Sequence, residues 1–120
     1  MYRKPNSKER QWLKKIFECE FKGKHILEKQ LLKAKAISEE GYDFISLKFK
    51  TDETEKYPYS VRVPVEMRVF DNNSAPKVFL LHIIGGFIDE LEVITADSSK
   101  MDSENIAFDG VKYVIDESVR

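Results

Sequence analysis

The sequence predicts an α+β fold in a single domain spanning residues 1–120, with two N-terminal helices packed on one face of a mainly antiparallel, meander-like sheet of about five or six strands. Three observations carry that expectation. Apolar residues recur at helical spacing up to Leu32, and beyond it they alternate with polar ones in short runs. A Gly85-Gly86 pair then divides two apolar runs in the manner of a two-residue hairpin turn.

The first helix is read from KERQWLKKIFECEF, where Trp12, Leu13, Ile16, Phe17 and Phe21 share one face and Lys and Glu occupy the other. Asn6 followed by Glu9 forms a capping box, with Asn in place of the usual Ser or Thr, and Gly23 is the expected stop. A second helix covers Lys24 to Leu32, with Ile26, Leu27 and Leu31 pointing inward. Lys33 to Ile37 fits either an extension of that helix or a strand. The turn-like SEEGYD that follows favours the strand, and Ile45, Leu47 and Phe49 then alternate with polar residues to complete a hairpin.

TDETEKYPY reads as a charged, mobile loop. SVRVPVEMRVF alternates, with Val61, Val63, Val65, Met67 and Val69 on one side, and Pro64 implies a sheet edge or a bulge. DNNSAP is a turn. KVFLLHII and FIDELEVIT form the hairpin about Gly85-Gly86, ADSSKMDSENI is polar loop, and GVKYVIDESV supplies one last short strand.

The hydrophobic fraction of 42% and aromatic fraction of 12% belong to a folded protein. The single Cys19 excludes an internal disulfide, and with only two His the common zinc patterns are missing, so no metal or other cofactor is expected. The N-terminus has no apolar signal core, and VFLLHII is too short to span a bilayer. A cytoplasmic location follows as the expectation.

Formal charge is unevenly placed. Residues 1–37 hold eleven Lys/Arg against four Asp/Glu, giving +7, and the remainder holds nine against seventeen, giving −8. A basic helical layer beside an acidic sheet accounts for this, and so does an acidic pole that meets a basic partner. A nucleic-acid partner is disfavoured, because the basic segment lacks stacking aromatics and the pI is near 6.1.

A two-residue turn at Gly85-Gly86 would place His82 opposite Asp89, an imidazole–carboxylate pair of the kind acid–base catalysis uses. No Ser or Cys nucleophile stands in a motif context beside it, which favours a structural pair. Strict alternation places Glu90 and Glu92 on the face opposite Asp89. Trp12 reads as core and Cys19 as an inert, half-buried thiol. No P-loop, dinucleotide glycine fingerprint or nucleophile elbow occurs.

Three stretches, FKGKHILEKQL at Phe21 to Leu31, RVPVE at Arg62 to Glu66 and LLHIIGGFIDELEVITADSS at Leu80 to Ser99, resemble in order and spacing a family of small, mostly uncharacterised bacterial α+β proteins. The matching positions are Phe21, Gly23, Lys24, Leu27, Gln30 and Leu31, then Leu81 to Ile84, Gly86, Ile88 and Glu90 to Glu92, while Gly85 departs from a more usual polar residue. Some such proteins accompany polymorphic or contact-dependent toxins as immunity proteins. The resemblance therefore implies a protein-binding module that occludes a cognate toxin. Asp89, Glu90, Glu92, Asp97 and Asp102 are the candidate contact surface. The alternatives are a small enzyme built on His82 and Asp89, or a subunit of a larger assembly. Oligomeric state is not legible at this level.

Overall fold

The computed structural model describes residues 1–71 and 74–120. Two helices, α1 (Ser7–Ile16) and α2 (Lys24–Leu32), lie on a six-stranded antiparallel open sheet, and the fold is α+β. The strands are β1 (Ala34–Glu40), β2 (Phe44–Thr51), β3 (Val65–Asp71), β4 (Ser74–Ile84), β5 (Phe87–Thr95) and β6 (Gly110–Ile115). Their spatial order is β1-β2-β5-β4-β3-β6, so the β1–β2 hairpin joins the β3–β4–β5 meander through β2 and β5.

Helix α1 starts on the expected capping box. Asn6 Oδ1 accepts the Glu9 N–H at 2.9 Å, and Glu9 Oε1 accepts the Asn6 N–H at 2.9 Å. Arg3 grips the same carboxylate through both guanidinium nitrogens, at 2.6 and 2.9 Å. Burial pushes the Glu9 carboxyl up, and Arg3, the Asn6 N–H and Lys8 together outweigh it and hold the group below its ordinary range. The helix ends at Ile16, earlier than the glycine stop predicts, because Phe17 caps it and the chain turns there. Gly23 instead opens α2, with φ +76°, and a Cβ there would lie 2.6 Å from the Tyr57 ring. Leu31 is only half-buried, and Gln30 joins Leu27 as a fully buried residue of α2.

Alternate residues of the strands meet the helices. Leu47, Met67, Phe79, Leu81 and Leu91 are fully enclosed against Trp12, Ile16 and Leu27. The shortest dimension, 20 Å, accommodates one helical layer on one sheet and nothing more, which leaves the second sheet face open.

Three features differ from the sequence-based expectation. Pro64 marks neither an edge nor a bulge: β3 begins after it and runs between β4 and β6, while the Pro64 carbonyl accepts the Asp116 N–H at 3.0 Å. The TDETEKYPY segment is tied down. Tyr57 is buried, its hydroxyl donates to the Lys22 carbonyl at 2.7 Å, and its N–H donates to the Gly86 carbonyl at 2.8 Å. Burial, with the charges of Tyr59 and Asp116, pushes its phenol up to about 12, so it stays a donor. The DNNSAP turn falls partly on residues 72 and 73, outside the described residues, and β4 already begins at Ser74.

Gly85 and Gly86 take φ +61° and +87°, the paired left-handed geometry that a tight hairpin needs. A Cβ on Gly86 would meet Lys56 Cβ at 2.9 Å, whereas a Cβ on Gly85 meets nothing within 4 Å. Gly86→Ala is therefore expected to cost about 1–3 kcal/mol in urea unfolding, and Gly85→Asn to be near neutral. Equal effects at the two positions would contradict this turn geometry.

Candidate functional site

The open face of the sheet is built from the outward residues of β2 to β5. One row across it runs Phe44, Ile94, Val78, and the next runs Ser46, Glu92, Leu80, Glu66. A third pairs Lys48 with Glu90 and Glu90 with His82. Phe44, Ile94, Val78 and Leu80 are half-buried by one another and lie outside the helix-covered core. Charged residues of both signs surround them, including Glu66 and Arg68, which pair at 2.6 Å.

The expected pairing of His82 with Asp89 is overturned by a β-bulge. Ile84 does face Phe87 and Ile83 faces Ile88, but the register shifts there and His82 faces Glu90. Asp89 is the extra, unpaired residue. The bulge also cancels the expectation that Asp89 opposes Glu90 and Glu92 across the sheet, since Ile88 and Leu91 are both buried and the two acids between them are both half-exposed. The imidazole contact is diagonal: His82 Nε2 lies 2.9 Å from Glu92 Oε1.

This arrangement gives His82 little to offer a substrate. Nε2 is engaged by Glu92, and Nδ1 is sealed from solvent without a hydrogen-bond partner among the described residues. A general acid or base needs one ring nitrogen within reach of the reacting group. Cys19 donates its thiol to the Ile16 carbonyl at 3.2 Å, and burial pushes that thiol up, away from thiolate character. Among the described residues no group of three or more His, Cys, Asp or Glu is arranged to hold a metal ion.

The five predicted acidic contacts do not form one patch. Glu90 and Glu92 share the open face, where Glu90 accepts the Ser46 hydroxyl and Glu92 meets His82. Asp89 borders a depression beside Lys50, Ile84 and Phe87. Asp97 and Asp102 lie beyond the far end of β5. The Ser99 hydroxyl and N–H hold Asp97 below the usual carboxylate range, and Asn105, with the Glu104 N–H, does the same for Asp102. These two carboxylates shape their own loop.

Sequence reasoning missed the apolar centre of the face. Phe44, Val78, Leu80 and Ile94 fall on the polar phase of their strands, and an apolar residue on both phases of a strand was the available signal. No helix among the described residues is long and apolar enough to cross a membrane. Set against protein-family models, curated proteins and solved structures, the chain finds no match in any of the three comparisons.

Proposed function

We propose that this protein is a non-catalytic binding module of the immunity-protein kind, a cytoplasmic antagonist that occludes a toxin domain with the open face of its sheet. The observation that supports this reading is the apolar row Phe44, Ile94, Val78, joined by Leu80, at the centre of a helix-free face with Glu66, Glu90, Glu92, Lys48 and Arg68 around it. Protein interfaces have that anatomy, with a desolvated apolar centre and a charged rim. The rim carries both signs, so the partner surface it complements is of mixed charge with a basic contribution opposite Glu90 and Glu92.

The test is co-purification of the tagged protein with the product of the adjacent reading frame, at low and high salt. A stoichiometric complex is expected, weakened about tenfold or more by Ile94→Arg and by Leu80→Arg while circular dichroism stays native. Failure of any complex to form, or a complex indifferent to both substitutions, would remove the sheet face as the binding surface.

A further inference from the structure

On the side of the molecule away from the open sheet face, α1, α2 and the start of β1 enclose a groove of about 450 Å³. Its floor is apolar, formed by Leu13, Leu31 and Ala34. Leu32 stands at the lip with 87% of its surface exposed, an unusual position for a leucine at the end of an amphipathic helix. The charged residues that line it are Lys4, Arg10, Lys33 and Lys35, with no carboxylate among them; Lys35, between the buried Ala34 and Ala36 and paired with Lys50, directs its side chain to the other face of the sheet.

Three of those four cations, Lys4, Arg10 and Lys35, have no ion-pair partner among the described residues, and Lys33 lies 3.6 Å from Glu53. Elsewhere on the helical layer Lys15 pairs with Glu18, Lys24 with Glu20 and Lys29 with Glu55, while Lys14 has no ion-pair partner among the described residues. Positive charge is thus left uncompensated at the mouth of the apolar groove. Leu13, Leu31 and Leu32 also line a second depression that continues between the helices toward Phe17, Glu18 and Glu28. The joined groove has an apolar lining along its length, a basic end at the N-terminus of α1 and a mixed end where Lys14 stands beside Glu18 and Glu28.

We propose that this groove docks a short amphipathic helix of a partner protein, with its leucine-type face on Leu13, Leu31 and Leu32 and its acidic end against Lys4 and Arg10. Charge complementarity selects the occupant. A helix with acids at its C-terminal end, or with its own negative dipole end there, matches the cationic mouth, and apolar residues at i, i+3, i+4 and i+7 match the floor. This docking is independent of the sheet-face reading, since it uses the opposite layer.

The experiment is titration of a fluorescent amphipathic peptide of about 15 residues, Leu on one face and Glu concentrated at its C-terminal end, into the intact protein. A peptide of the same composition with its leucines scattered round the helix is the control. Expected are saturable binding of the first peptide, weakening as salt rises from about 0.05 to about 0.5 M, and at least about tenfold loss in Leu32→Glu and in the double variant Lys4→Glu/Arg10→Glu. Leu32 is so exposed that its substitution leaves folding intact, and Ile94→Arg on the other face is expected to bind the peptide unchanged.

Absence of binding overturns the proposal, and so does equal binding of the scattered peptide, which would mean charge alone. Phosphatidylserine vesicles that bind in place of the peptide and lose binding in Leu32→Glu would assign the groove to a membrane surface. Concentration-dependent dimerisation in sedimentation, abolished by Leu32→Glu, would assign it to a second copy of the chain. Either of those results replaces the partner helix.

Discussion

Replacing Gln30 with methionine is expected to lower the unfolding free energy by at least about 2 kcal/mol, read as a fall in the urea midpoint with little change in slope. Gln30 is completely buried, and its amide makes three hydrogen bonds to two segments that are remote in sequence, the loop at Glu55 and the turn at Gly86 to Ile88. Nε2 donates to the Glu55 carbonyl at 3.0 Å and to the Gly86 carbonyl at 2.9 Å, while Oε1 accepts the Ile88 N–H at 2.9 Å. Methionine fills the space and satisfies none of these groups. The Glu55 carbonyl and the Ile88 N–H are then left without a partner, each at about 1–3 kcal/mol, while the Gly86 carbonyl keeps the Tyr57 N–H. Gln30→Glu separates polarity from geometry: it retains an acceptor for Ile88 but aims a carboxylate oxygen at two carbonyls. It is expected to be at least as damaging as methionine at neutral pH, and a Gln30→Met variant with wild-type stability would show that the amide has no anchoring role.

Phe79→Ala is expected to cost about 3–5 kcal/mol, the range for truncating an enclosed phenylalanine. Phe79 has no exposed surface, meets the Trp12 ring edge-on at 5.9 Å between centroids and lies 6.1 Å from Phe108. Both ring contacts and the transfer free energy are lost together. Trp12 is the only tryptophan, so its fluorescence follows the same unfolding transition at the damaged site. Phe79 lies between Val78 and Leu80 on β4, which point the other way, so this variant also weakens the support beneath the open face. Val114→Ala, at an exposed position on β6, should change stability by less than about 0.5 kcal/mol, and a comparable loss there would contradict the two-layer packing.

Much of the architecture was legible because it follows from periodicity and local chemistry. The Asn6–Glu9 capping box, the limits of α2 at Lys24 and Leu32, the β1 strand and the Gly85-Gly86 turn are all local decisions. What escaped depends on segments that meet only in three dimensions. Gln30 looks like any polar helix residue until the turn at Gly86 and the loop at Glu55 arrive beside it. The end of α1 at Ile16 reflects the packing of Phe17 and Phe21 on each other, stacked at 6.2 Å, which helical spacing does not distinguish from another turn of helix. For the candidate site, two of the five predicted acids, Glu90 and Glu92, share the open face, and the rest are separated by the bulge or by the length of β5. The run Ile88-Asp89-Glu90-Leu91, two polar residues between two apolar ones, is the trace the bulge leaves in the sequence.

That extra residue also makes the hairpin forgiving of a change in length. Elsewhere in a strand, losing one residue reverses inside and outside for everything beyond it. Without Asp89, Ile88 would precede Glu90 directly, and inward Ile88, outward Glu90 and inward Leu91 would alternate regularly, with Glu90 still opposite His82. The sheet therefore holds a spare position in β5, where a deletion leaves both the core and the binding face in phase.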